Sequence, residues 1–291
     1  MRILEDNGNI IVSGIADFDV DQTLCCGQCF HFKKTGEGKD YGVSAFGRLL
    51  HIVQEGKKVI FYNTTKADFN GIWRKYFDLD TDYASIKNKL LQDDSKLADS
   101  INAMGGVRIL KQDFFETLMS FIISQNKQIP HIKAIVCAIS KEYGTYLGEI
   151  NGEEFYAFPT AKMLSNVTED DFKRLKTGFR AGYLYDAVKC VLEGKITEEM
   201  LRNMEAAECE KALCQIKGVG AKVANCVMLF ALSKMECFPI DVWMTRIMQR
   251  LYLGEGASKD AIAQYAREHY GALGGYAQQY LFYYGRETKM S

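Results

Sequence analysis

The sequence has no long apolar run and no strong excess of either charge. A membrane-spanning helix needs about 18 or more consecutive apolar residues, and none of the hydrophobic stretches reaches that length. The opening, MRILEDNGNI, has neither an apolar h-region nor a cleavage site, so no secretion signal is expected. Proline is also scarce: Pro130, Pro159 and Pro239 fall between predicted elements, where a proline begins or ends a helix.

Cysteine is more frequent, with nine residues in the chain, but nothing marks the protein as exported. In a reducing compartment most of these cysteines are expected to remain free. Cys25, Cys26 and Cys29 form a C-C-x-x-C cluster, yet no second pair of ligands follows at the spacing that a zinc site requires. The cysteine pattern therefore predicts no metal site.

The formal net charge is −1 and the isoelectric point is about 6.5. This balance argues against a protein that binds nucleic acid through bulk positive charge. The charge is uneven, however, because basic residues predominate in 173–189 and 211–250 while 78–99 is rich in aspartate. A mildly acidic chain can still present one basic face, so nucleic-acid binding stays open.

The pattern of apolar residues divides the chain into two parts. Up to residue 65 the segments NIIVSGI, YGVSAFG, RLLHIVQ and KKVIFYNT are short and β-branched or aromatic, which predicts strands. From residue 66 apolar residues recur at helical spacing, and beyond the turn AMGGVRIL near residue 105 every segment is predicted to be helical. We expect an α+β protein in which 1–105 form a twisted antiparallel sheet with helices. Residues 106–291 would form an all-helical domain, with a cleft between the two.

The most informative stretch is IKGVGAKVANCVMLFAL, residues 216–232. With the segment before it, this stretch predicts a helix–hairpin–helix over about 205–232. Gly218 and Gly220 allow a sharp turn and the close approach of a partner, and Val219 lies between them. The first backbone N–H groups of the second helix are unpaired and bind anions. On DNA they would bind one phosphate without reading the base sequence.

Lys222 stands at the start of that second helix, where positive charge is electrostatically disfavoured. The helix dipole and an apolar environment favour the neutral amine, which is a nucleophile that forms Schiff bases. Alternatively, the side chain extends to solvent or binds phosphate. Nineteen residues later, in FPIDVWMTR, Asp241 is placed to cap the next helix. If the loop returns this carboxylate to Lys222, it would stabilise cationic charge and assist proton transfer.

These motifs resemble the helix-hairpin-helix DNA glycosylase superfamily, and within it the 8-oxoguanine DNA glycosylase/AP lyase family. The most specific match is GVGAKVANC followed by PIDVWM. Four further segments extend the resemblance over both halves of the chain: CGQCFHF at 26–32, FIISQN at 121–126, TGFRAGYL at 177–184 and GYAQQYLF at 275–282. Five separated matches in the family's order make chance similarity improbable.

The resemblance implies a DNA repair enzyme that flips 8-oxoguanine out of the duplex, excises it and nicks the strand by β-elimination. Lys222 would attack C1′ and hold the sugar as an imine, and Asp241 would stabilise the oxocarbenium-like transition state. The main-chain carbonyl of Gly27 would accept the hydrogen that oxidation places on N7. The other implied contacts are Cys226 and Phe282 on the two faces of the base, Gln278 on its Watson–Crick edge, Phe179 as a wedge in the duplex, Asn126 and Arg180 at the widowed base, and Gly218, Val219 and Gly220 at a phosphate.

Two DNA-contacting positions depart from the family pattern. His131 stands where members that prefer cytosine opposite the lesion carry an arginine. Because histidine is shorter and often neutral, we expect weak discrimination of the opposite base. Trp243 stands where many members place a histidine near the scissile phosphates, and its ring or indole N–H would have to substitute.

The resemblance also sets expectations for cofactors and partners. Some members of the superfamily hold an iron–sulfur cluster through four cysteines after the catalytic aspartate, but Cys237 is the last cysteine here. We therefore predict no iron–sulfur cluster and no required cofactor, and a structural cation at the hairpin carbonyls stays open. The expected partner is double-stranded DNA containing 8-oxoguanine, not a membrane. The protein is expected to be an intracellular monomer, in the cytoplasm or nucleoid.

Two other hypotheses remain. One is a glycosylase of the same superfamily that acts on a different damaged base, although its monofunctional alkyl-base class lacks the lysine found here as Lys222. The other is a non-catalytic helix–hairpin–helix DNA-binding protein, which leaves the motifs around Gly27 and Gln278 unexplained. Borohydride trapping separates them, because only an imine-forming enzyme becomes covalently attached to DNA.

Overall fold

The computed structural model describes residues 1–289, and the first part of the chain forms a six-stranded antiparallel sheet in the order β1-β2-β6-β5-β4-β3. The four predicted strands are confirmed, and two more, β1 and β3, flank them. The strands are β1 Arg2–Asp6, β2 Asn9–Ser13, β3 Phe32–Lys34, β4 Lys39–Ala45, β5 Arg48–Glu55 and β6 Lys58–Tyr62.

Alternation along the inner strands decides which face of the sheet is buried. Ile10 and Val12 of β2 and Leu50 and Ile52 of β5 are fully buried, with exposed or half-buried residues between them. This period of two is what a half-buried strand requires. By contrast, every residue of β1 is exposed, because it lies at the edge of the sheet. Helical residues 66–76 and the turn after them cover the buried face and complete the first core.

Helices make up most of the remaining chain and confirm the helical segments predicted from the apolar spacing. They are α1 Val20–Cys25, α2 Lys66–Asp68, α3 Arg74–Tyr76, α4 Tyr83–Asp93, α5 Ala98–Met104, α6 Phe114–Ser124, α7 Ile129–Tyr143, α8 Glu169–Arg174, α9 Ala181–Leu192, α10 Glu198–Arg202, α11 Ala206–Leu213, α12 Ala221–Phe230, α13 Val242–Met248, α14 Lys259–His269 and α15 Gly274–Glu287. Single turns of 3-10 or π helix extend several of them. The architecture is α+β, with the sheet first and the helices after it, as predicted.

The prediction that everything beyond residue 105 is helical is wrong at one place. Two short strands, β7 (Tyr146–Ile150) and β8 (Glu153–Tyr156), form an antiparallel hairpin. Its turn is Asn151-Gly152, with both residues at positive φ, which is the dipeptide that a two-residue hairpin favours. The hairpin packs on the first sheet, where the Phe155 ring occupies the space that a side chain at position 42 would need.

A second core lies among the helices and is centred on α6 and α12. Phe121 of α6 stacks on Phe230 of α12 with ring centroids 5.5 Å apart. Cys26 and Phe30 reach into this core from the first part of the chain, so the loop that carries them joins the two cores. Within residues 1–289, no helix is long and apolar enough to cross a bilayer. The domain boundary near residue 105 stays a prediction.

Candidate active site

The helix–hairpin–helix consists of α11, a tight turn and α12, as the glycine pattern predicts. Gly218 has φ +80°, and its Cα faces the ring of Tyr183. Gly220 is the N-cap of α12, and its Cα faces open space. The Asp186 carboxylate accepts a hydrogen bond of 2.8 Å from the backbone N–H of Lys217 and so fixes the turn. The two glycines therefore have different roles. Gly218 lets the turn pack against Tyr183, and Gly220 leaves the N-terminus of α12 accessible.

Alanine substitutions at Gly218 and Gly220 are expected to distinguish the two roles by their effect on stability. A Cβ at Gly218 would lie 2.2 Å from the Tyr183 ring and require an unfavourable positive φ, so Gly218→Ala should lower the free energy of unfolding by about 2–4 kcal/mol. Gly220→Ala should leave it within about 1 kcal/mol. Urea denaturation of both variants measures the difference. Equal stability would contradict the packing argument.

Lys222 is the second residue of α12, and its side chain turns towards α6. Its Nζ lies 3.2 Å from the Ser124 hydroxyl oxygen and 5.1 Å from the centroid of the Phe121 ring. The Ser124 hydroxyl donates to the Phe121 carbonyl at 2.8 Å, so it presents a lone pair to the amine. The half-buried amine is thus held at a fixed position, and it contacts no carboxylate within the described residues.

Cys226 follows Lys222 by one helical turn and is almost fully buried. Burial raises the pKa of its thiol to about 11, while the charge of Lys222 lowers it and that of Asp241 raises it. The thiol therefore stays neutral near pH 7, and both charged groups lie within electrostatic range of it. Asp241 is the N-cap of α13 and accepts a 2.8 Å hydrogen bond from the Met244 backbone N–H. The predicted cap is confirmed, and the fold places its carboxylate in the same region as Lys222.

Two further predicted site residues, Gln278 and Phe282, lie on α15. Gln278 is buried, at 5% exposure, and its Nε2 donates to the Pro239 carbonyl at 3.3 Å. Its Oε1 is buried and has no hydrogen-bond partner within residues 1–289, so an acceptor is free for a ligand. One turn further, a carbon of the Phe282 ring lies 3.4 Å from the position that a Cβ at Gly27 would take. Gly27, at φ +94°, therefore faces the aromatic ring directly.

The loop that carries Gly27 is held by Gln28, a residue for which the sequence predicts no role. Its buried side chain donates to the carbonyls of Thr23 and Arg108 and accepts from the Leu110 backbone N–H, each at 2.8 Å. These bonds tie the loop to the segment that leads into α6. The conformation of Gly27 is consequently set before any ligand arrives.

Three predicted DNA-contacting residues gather around the turn after α6. Asn126, at φ +49°, is exposed, and His131 is exposed in the first turn of α7. Arg180 is buried and donates to the carbonyls of Gln125, Asn126 and Thr177. Its guanidinium shapes the turn that presents Asn126. In this conformation the Arg180 guanidinium is bonded to backbone carbonyls of the protein.

Two large apolar side chains among the predicted DNA contacts are exposed. Phe179 is 60% exposed and Trp243 is 40% exposed. The Arg180 guanidinium lies 4.2 Å from the centroid of the Phe179 ring, and Tyr183 meets the same ring edge-on at 5.9 Å. The ring is therefore supported from the protein side and free on the other, a geometry suited to insertion between bases.

A cleft of about 740 Å³ opens between α11, α12 and α14, and Lys222 lies on its wall. Gly220 and Ile240 line the same cleft, so it reaches both the hairpin turn and the residue before Asp241. No group of three His, Cys, Asp or Glu side chains is arranged to hold a metal in the part of the chain that the structure describes. A cation at the hairpin carbonyls stays a prediction.

Comparison with known proteins places these features in a family. Residues 10–118 match the model of the 8-oxoguanine DNA glycosylase N-terminal domain, and residues 119–271 match the HhH-GPD superfamily of base excision DNA repair proteins. The 8-oxoguanine glycosylase/lyase of Clostridium acetobutylicum, solved with double-stranded DNA containing cytosine opposite 8-oxoguanine, is 39% identical, with 99% of both chains covered and a TM-score of 0.95.

MBOgg1, solved with a low-affinity DNA ligand, gives the same identity, coverage and TM-score. The N-glycosylase/DNA lyase OGG1 of Arabidopsis thaliana is 29% identical over 276 residues, which cover 89% of this chain and 75% of the relative. The match therefore extends over the sheet, the helix–hairpin–helix and the segments that carry Gly27 and Phe282. This chain belongs to the 8-oxoguanine DNA glycosylase/lyase family of the HhH-GPD superfamily.

Proposed function

We propose that this protein flips 8-oxoguanine out of duplex DNA, excises it with Lys222 as nucleophile and nicks the strand by β-elimination. The observation that carries the proposal is the position of the Lys222 amine. It lies at the start of the hairpin's second helix, held by Ser124 and one turn from the buried Cys226. The helix N-terminus that carries this amine is also suited to bind a DNA phosphate, so the amine stands on the face that meets the DNA.

The reaction proceeds in two stages. The Lys222 nitrogen bonds to C1′ while the glycosidic bond breaks and its electron pair leaves with the base, which takes up a proton. The sugar ring then opens to give an imine between Lys222 and C1′. Loss of a proton from C2′ breaks the bond between C3′ and its phosphate oxygen, which nicks the strand. Water finally hydrolyses the imine and releases the lysine. Asp241 stabilises the positive charge that builds up on the sugar.

The pocket between Cys226 and Phe282 receives the flipped base. The Gln278 amide oxygen, which is unpartnered within residues 1–289, accepts from the Watson–Crick edge of guanine. The Gly27 carbonyl accepts the N7 hydrogen of 8-oxoguanine and repels the lone pair of normal guanine. The lesion is thus distinguished by the direction of one hydrogen bond, which a preformed loop can read.

On the DNA side, Phe179 fills the gap that the base leaves, and Asn126 and His131 form the surface beside the widowed base. The buried Arg180 supports this surface by fixing the turn that presents Asn126. The hairpin residues Gly218 to Gly220 bind a phosphate. Trp243, at the start of α13, lies beside the sugar-phosphate backbone of the DNA. The chemistry needs no cofactor, since the lysine supplies the nucleophile and the carboxylate the charge. We propose that the protein acts as an intracellular monomer.

Removing the wedge is expected to slow excision without weakening the fold. Phe179→Ala should reduce the single-turnover rate of 8-oxoguanine release about tenfold or more, because unstacked bases lose a contact of about 1–3 kcal/mol. Its melting temperature should stay unchanged, since the ring is mostly in solvent. Met163→Ala, at another exposed apolar residue with 45% exposure, is the control and should retain the wild-type rate.

The proposal is tested with a labelled duplex that carries 8-oxoguanine opposite each of the four bases in turn. Base release and nicking are recorded separately, with and without borohydride. We expect release, nicking and a trapped adduct on every duplex, with rates within about tenfold of one another because His131 replaces the bidentate arginine. No release and no adduct with any duplex would reject 8-oxoguanine as the substrate. Failure with a panel of other lesions as well would favour a non-catalytic DNA-binding protein.

A further inference from the structure

Arg286 lies one helical turn beyond Phe282 on α15, and its guanidinium reaches the loop that carries Gly27. Nη2 donates to the Cys25 carbonyl at 2.7 Å. Nη1 is buried and makes no hydrogen bond within residues 1–289. It lies 3.3 Å from the position that a Cβ at Gly27 would occupy, next to the Phe282 ring at 3.4 Å.

The guanidinium lies over the Tyr283 ring, 4.9 Å from its centroid, but the buried Nη1 has lost its water and gained no hydrogen-bond acceptor, which is costly. Anchoring the side chain does not require Nη1. Nη2 already donates to the Cys25 carbonyl, and the exposed Glu287 carboxylate balances the charge at 3.1 Å. Nη1 is left over on the side of Gly27 that faces Phe282. That side is the wall of the proposed base pocket.

The edge of 8-oxoguanine that would meet this wall carries three groups in a row: the O6 carbonyl, the N7–H and the O8 carbonyl. A protein carbonyl can pair only with the central N–H. The two flanking oxygens both need donors, and the pocket wall beside Gly27 offers one in Nη1. An N–H from a cation to a carbonyl oxygen is stronger than a neutral hydrogen bond.

We propose that Arg286 is a specificity-determining residue, whose Nη1 donates to the carbonyl oxygen next to N7 of the flipped base while Gly27 accepts from N7. The inference rests on the proposed function of the pocket. The base would then be recognised by two neighbouring hydrogen bonds, one accepted by the Gly27 carbonyl and one donated by Arg286. It also explains why Arg286 uses one branch of its fork on the loop and leaves the other branch free.

The test measures binding in a Lys222→Gln background, in which the base cannot be released. Adding Arg286→Met should weaken binding of an 8-oxoguanine duplex about 10- to 100-fold. Binding of an abasic duplex should be unchanged, because it offers no base. Arg286→Lys keeps a donor for the Cys25 carbonyl but lacks the fork, so it should not restore binding. Arg174→Met, at an exposed arginine paired with Asp171, is the matched control.

Two further duplexes identify the oxygen. 8-Oxoadenine lacks the O6 carbonyl but keeps the N7–H and O8, whereas 8-thioguanine keeps O6 and the N7–H but replaces the O8 carbonyl by a weakly accepting thiocarbonyl. The effect of Arg286→Met should therefore largely vanish for one of them and persist for the other. An equal loss on the abasic duplex, an equal loss on both analogues, or full binding by Arg286→Lys would overturn the proposal. Wild-type release of 8-oxoguanine decides the proposed function separately, because it does not involve the Arg286 variants.

Discussion

Replacing Lys222 by glutamine is expected to lower both base release and nicking by at least about 1,000-fold. Glutamine is one atom shorter than lysine but keeps a polar end group, and its amide nitrogen is not a nucleophile. No imine forms, so borohydride should yield no covalent adduct. Binding to an 8-oxoguanine duplex should stay within about tenfold of wild type, because the base pocket and the hairpin turn do not depend on the amine.

Lys211→Gln is the matched control for this experiment. Lys211 is exposed on α11, in the same motif and outside the cleft, so its replacement removes the same charge without touching the site. This variant should form the borohydride adduct at the wild-type rate. Nicking or adduct formation that survives in Lys222→Gln would show that another amine is the nucleophile.

The fold was predictable where local pattern and burial agree. Strand β5 alternates around Leu50 and Ile52, which predicts a strand. The helices α6 and α12 are long and apolar at helical spacing, which predicts helices. The hairpin at Asn151-Gly152 was missed because its strands are short, carry several charged residues and stand among helices. The turn dipeptide was nevertheless a local signal for it. Strand β1 was missed because it is exposed at the edge and shows no alternation.

The site was predictable to the extent that each residue sits in a local motif. Lys222 and Gly218 follow from the hairpin, and Asp241 from its capping position. Ser124 could not be paired with Lys222, since 98 residues separate them and only the packing of α6 on α12 brings them together. Arg286 is separated from Cys25 by 261 residues, and no periodicity connects a C-terminal helix to that loop.

Family resemblance and packing also gave different information about Arg180. The resemblance assigned its side chain to the widowed base, which remains a prediction. In the structure its guanidinium is directed at the carbonyls of the turn at Gln125 and Asn126. Sequence similarity carries over which residue is present, whereas the partner of a buried guanidinium depends on which carbonyls the backbone leaves unpaired around it.

Asp241→Asn is expected to lower the rate of 8-oxoguanine release about 100- to 1,000-fold with little change in stability. Asparagine is as good an N-cap as aspartate, so the bond to the Met244 backbone N–H and the start of α13 should persist. The amide is neutral, however, and no longer stabilises the positive charge that develops on the sugar. Single-turnover release and a melting curve, measured on the same preparation, test both parts.

An abasic duplex shows which step depends on the carboxylate. Its sugar has already lost the base, so no glycosidic bond has to break, and trapping of Asp241→Asn by borohydride should fall less than about tenfold. Asp82→Asn is the control, since Asp82 caps α4 by the same kind of bond to Ser85 and is remote in sequence from the site. If release and abasic trapping fell equally, Asp241 would act on the lysine itself, through proton transfer, rather than on the charge of the transition state.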